Sequence, residues 1–159
     1  RDGSSDVCSS DLENGFLPDV ISSDLHSLSV EGPVFDMPTT ASKFLHMGMS
    51  LTDVIAAVTI APARAIGRAD ELGSLRQGGV ADVAVFDVED GEFVFEDTHD
   101  ITETATRRLT SHLTVRGGAV WYPEEVRERF GRPEDSIPAT VRKANEGMVR
   151  AAGITPRRM

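Results

Sequence analysis

Cysteine is almost missing from this 159-residue chain, with Cys8 its single example. One thiol cannot close an internal disulfide, and this one lies in a segment that reads as foreign to the rest. The run Asp6 to Leu12, DVCSSDL, resembles the translation of a short-read sequencing adapter. Residues 1–12 are therefore expected to be an adapter artefact with no packed contacts, ahead of a natural chain that starts near Glu13. Without Cys8 there is neither a thiolate zinc site nor a cysteine nucleophile. Basic charge is also scarce: 16 Lys and Arg stand against 26 Asp and Glu, a net charge of −10, and the only lysines are Lys43 and Lys143. Setting residues 1–12 aside removes three carboxylates and one guanidinium and leaves −8. Such an acidic chain is a poor partner for nucleic acid or anionic lipid, and a small-molecule partner suits it better. Apolar runs long enough to span a membrane are absent, as is a basic-then-apolar leader, so no membrane association is expected and the cytoplasm is the expected compartment. The length accommodates one ordinary domain and leaves no room for a large enzyme.

What is present begins with Phe16 to Ile21, a short apolar run suited to the end of a buried strand, followed by the polar stretch Ser22, Ser23, Asp24 and His26. After a Gly32-Pro33 loop, Asp36 and Pro38 mark a helix start. Met37, Ala41, Phe44 and Leu45 form its apolar face, and Gly48 is placed to end it. Ser50 and Asp53 make an S-x-x-D capping box for a second helix with Leu51, Val54, Ile55 and Val58 on the buried side. Pro62 opens a short third helix that Gly67 stops. From Gly73 the texture turns to strands. Val83 to Val88 and Phe93 to Phe95 flank Asp90-Gly91, a hairpin-turn signal, while Leu113 to Val115 and Ala119 to Tyr122 flank Arg116-Gly117-Gly118, a second one. Residues 123–159 form a charged tail with helical stretches near Glu124–Arg129 and Ala139–Ala152.

Four stretches in this order, ISSDLH at 21–26, GPVFDMPTTASKFLHMGMSLTDVIAAVTIAPARAIG at 32–67, GSLRQGGVADVAVFD at 73–87 and LTVRGGAVWY at 113–122, resemble the C-terminal part of an amidohydrolase-superfamily metal hydrolase, on the dihydroorotase-like amidohydrolase or deacetylase branch. The resemblance implies an α/β fold: residues 13–70 as the C-terminal remnant of a (β/α)8 TIM barrel, with residues 16–24 its last strand and residues 36–67 its closing helices. Residues 71–122 would then be part of a small antiparallel β-sandwich. It further implies that Asp24, at the mouth of that strand, is the catalytic carboxylate, a metal ligand that also takes a proton from the attacking water and passes it to the leaving nitrogen. The implied cofactor is a divalent metal, zinc, one or two ions in the intact enzyme. The implied partner is a small-molecule amide, a cyclic amide or an N-acyl amino acid, with a homo-oligomer possible for the intact enzyme.

His26 either faces the substrate from the loop after the strand or hydrogen-bonds its own loop. Gly32 either lines the substrate pocket through its backbone or makes a tight turn with Pro33 before the helix. Lys43 and His46 are expected on solvated helix surface, and neither His99 nor His112 stands at ligand spacing to another donor. Ala61 occupies the place before Pro62 that the resembled family fills with Asn, which weakens a cap by about 1 kcal/mol. The family's remaining ligands, an H-x-H pair, two further histidines and a bridging lysine, have no counterparts among His26, His46, His99, His112, Lys43 and Lys143. Two classes of function therefore stand side by side. One is the tail of a metal-dependent amidohydrolase, inactive by itself, with the apolar faces of the Phe44 and Val54 helices exposed and a tendency to associate. The other is a non-catalytic structural or binding module of helices and sheet.

Overall fold

A computed structural model describes residues 14–25, 34, 36–97 and 101–131. The expectations for residues 1–12, His26, Gly32, His99 and the helix at 139–152 lie outside the described residues. Helix α1 runs Met37–His46. Asp36 caps it from an extended backbone, its Oδ1 accepting the Thr39 N–H at 2.8 Å, and Pro38 occupies the first turn, where a missing N–H costs nothing. Gly48, at φ +101, turns the chain out of the helix. Helix α2, Leu51–Val58, starts at Ser50, whose Oγ accepts the Asp53 N–H at 3.1 Å. The same hydroxyl donates to Asp53 Oδ2 at 2.6 Å, so the expected S-x-x-D pair closes through the two side chains.

The buried stripe of α2 is Val54 and Ala57, with Val58 packed beside them. Leu51, expected on that side, sits at the first helical position and is exposed. Helix α3 covers Ile60–Ala65 and begins two residues before Pro62. Ala61 is thus inside the helix and not at its cap. Thr59 takes the cap position and sends its hydroxyl back to the Ile55 carbonyl, so it makes no side-chain cap bond for α3.

Strands β1 (Val83–Glu96), β2 (Thr102–Arg116) and β3 (Ala119–Trp121) form one antiparallel sheet in that order. The register runs from Val83 opposite Val115 to Glu96 opposite Thr102. The turn expected at Asp90-Gly91 is not there. Both flanking runs pair with β2, Val88 with Leu109 and Phe93 with Ala105, and the dipeptide sits at a register shift between Asp90 and Phe93. A bulge, like a turn, favours glycine, and a Cβ on Gly91 would lie 2.9 Å from the Phe93 ring. The hairpin instead closes between Asp97 and Ile101, which exchange two hydrogen bonds at 2.9 Å each. The second expected hairpin is present: Gly117 and Gly118, at φ +55 and +82, join β2 to β3 in the two-residue turn that positive φ values permit. Helix α4, Pro123–Phe130, follows where a helical stretch was expected.

The core joins the helices to the sheet through Ile21, Ala41, Met49, Val54, Ala57 and Leu109, with Phe44, Leu45 and Phe86 against them. Val54, Ala41 and Ala57 are buried and Phe44 and Leu45 pack against them, so the apolar faces of α1 and α2 that were expected to lie open are largely covered, with Leu51 the exception. Other exposed apolar side chains lie at Phe16, Leu17, Val20 and Leu25 and on the sheet at Val85, Val88 and Val94.

Ser42 is the polar member of this interior. Strand β3 reaches only Thr114 to Arg116 on β2, so at Leu109 the outer edge of β2 meets helix α1. Ser42 Oγ accepts the Leu109 N–H at 2.8 Å and donates to the Pro38 carbonyl at 2.7 Å. Ser42→Ala strands that N–H in a dry contact and is expected to cost about 1–3 kcal/mol of stability. Urea unfolding reads the cost, and faster amide exchange at Leu109 locates it. A midpoint shift below the error of the measurement would mean that water replaces the hydroxyl.

Candidate functional site

The segment 16–25 carries the one predicted site residue that lies within the described structure. It is extended but not a strand: among the described residues its backbone bond to another element is the Ile21 N–H to the Ala57 carbonyl, at 2.9 Å. A strand needs a lateral partner for alternate N–H and C=O groups, and no described strand runs beside this one. Ile21 is the anchor, its side chain sunk into the core. Three residues on, Asp24 is exposed and turns the chain with φ +48, its N–H 3.4 Å from Ser22 Oγ. It is the one residue other than glycine at positive φ among those described. Asp visits this region more readily than most residues.

A divalent metal needs several convergent donors, three or four from protein in a zinc site. Among the described residues no three of His, Cys, Asp and Glu come together in that way. Asp24 offers the right kind of oxygen, but the described residues do not fit a metal centre by themselves. The other titratable groups serve the scaffold. Lys43, expected on solvated surface, is half-buried and donates from Nζ to the Glu96 carbonyl at 2.7 Å, tying α1 to the end of β1. Burial pulls its pKa below the usual lysine value, against the opposing pull of Asp97 and Glu96. His46, one turn along the same helix, meets Glu103 at 2.9 Å, and His112 meets Asp87 at the same distance across β1 and β2.

On the sheet, Arg108 donates to Glu89 at 2.8 Å and lies 4.4 Å over the Phe93 ring, while Thr110 donates to the other Glu89 oxygen at 3.0 Å. Hydrogen bonding from Arg108 and then Thr110 holds the Glu89 carboxyl below its usual pKa. Arg107 and Asp90 pair beside them at 2.9 Å. These exposed cross-strand pairs contribute little individually and fix register collectively. Sequence reading missed the Lys43 and His46 contacts, for which the available signal was their spacing with Ser42: a polar stripe at 42, 43 and 46 on a helix whose sheet side is partly polar.

The model of the amidohydrolase family matches residues 37–122, from the first helix to the residue after β3. A deacetylase of Agrobacterium fabrum is 40% identical over 111 residues, 70% of this chain and 27% of that protein. Among solved structures, an adenine deaminase superposes with a TM-score of 0.69 at 29% identity, covering 73% of this chain and 32% of its own. A dihydroorotase gives 0.67 at 34% identity, with 74% and 31% covered. The chain thus spans between a quarter and a third of the length of each protein it resembles.

Proposed function

Because the chain belongs to the amidohydrolase family, we propose that it is one part of a metal-dependent hydrolase that cleaves a C–N bond in a small amide, either a cyclic amide or an N-acyl amino acid. The observation that carries this reading is the continuous family match over residues 37–122, which takes in the helices, the sheet and the core between them. The names of the similar proteins, a deacetylase, a dihydroorotase and an adenine deaminase, support a hydrolase acting on C–N bonds. In this reading residues 13–70 belong to the last strand and closing helices of a barrel, and residues 71–122 to an accompanying sandwich.

Asp24 is the residue of this chain assigned to the reacting centre. Its exposed carboxylate has the means to accept a proton from a water attacking the carbonyl carbon and to return it to the departing nitrogen. Ile21, three residues before Asp24, is anchored in the core, and Asp24 itself is exposed at a positive φ. His26 and the backbone of Gly32 are proposed to border the substrate from the loop that follows. The described residues do not fit a metal site alone, and the 159-residue chain by itself is proposed to be inactive.

The test is a comparison of two proteins. The chain alone, with and without added zinc, is assayed on N-acetyl amino acids and on dihydroorotate. Beside it, a hybrid carries residues 14–131 in place of the matching quarter of the Agrobacterium fabrum deacetylase. The expected result is no turnover above buffer from the chain and measurable hydrolysis from the hybrid. Turnover by the chain alone overturns its proposed inactivity. A hybrid that folds, by circular dichroism and a cooperative melt, yet hydrolyses nothing would favour the non-catalytic module.

A further inference from the structure

We draw no further inference here: the strongest candidate, the exposed apolar side chains of Phe16, Leu17, Val20 and Leu25 along the extended segment ahead of α1, carries nothing because nothing in the structure shows what covers them.

Discussion

In the hybrid enzyme, Asp24→Asn is expected to lower kcat/KM for amide hydrolysis by roughly 10²- to 10⁴-fold, the range lost when a positioned proton acceptor is removed. That is about 3–5 kcal/mol of transition-state stabilisation. The substitution isolates the charge. Asn has nearly the same shape as Asp and shares its tolerance of the left-handed region, so the turn at φ +48 survives. The side chain is exposed and lies outside the core, so the melting transition is expected to stay in place. Asp24→Gly supplies the complement: it keeps the turn even more readily, loses the carboxylate, and is expected to fall as far as Asn does. If Asn retains activity within a few-fold while Gly collapses, the side chain acts by shape and its role as a proton acceptor is wrong. If both retain activity, Asp24 has no part in the reaction.

The second large effect concerns the scaffold. Gly73→Ala is expected to destabilise the chain by roughly 2–5 kcal/mol, combining the strain of a non-glycine residue at positive φ with the cost of overpacking. Gly73 has φ +78, and a Cβ built there would stand 2.8 Å from both Ile60 Cα and the Thr59 carbonyl oxygen. Those atoms belong to the α2–α3 junction, which is backbone and cannot swing aside as a side chain would. Gly78 provides an internal comparison, with φ +83 and nothing within 4 Å of its would-be Cβ. Gly78→Ala should therefore incur the backbone strain alone, about 1 kcal/mol. Urea midpoints of the two variants separate the contributions. Equal midpoints would mean that the junction yields and that the close approach at Gly73 is not fixed.

A smaller prediction follows from the first helix. Asp36→Ala removes the oxygen that accepts the Thr39 N–H and is expected to cost about 1 kcal/mol, read as a midpoint shift with an unchanged urea slope.

The chain's own order of residues determined whatever depends on neighbours within about four positions. Asp36 and Ser50 announce α1 and α2 because a cap is a bond between a side chain and an amide three residues on. Gly117 and Gly118 announce the β2–β3 turn because two consecutive positive φ values suit glycine above all. Four ordered motifs sufficed to point to the family, since their spacing is itself a linear property.

Tertiary structure decided the rest, because pairing and burial join residues far apart in the chain. Asp90-Gly91 carries the same local signal as a turn, and only the availability of Ala105 and Arg107 on β2 makes it a bulge inside a longer strand. Lys43 reads as solvated until Glu96 arrives from the hairpin across from it, whereas His46 stays on the exposed surface where it was expected and meets Glu103 there. Ser42 looks like an ordinary surface serine, and it is wholly buried because the edge of β2 near Leu109 needs an acceptor that β3 is too short to give. The stretch before Asp24 has the composition of a strand, but a strand exists only where a neighbour takes its backbone hydrogen bonds. Among the described residues the backbone bond this stretch makes to another element is Ile21 to Ala57, and the turn at Asp24 follows three residues beyond that buried anchor.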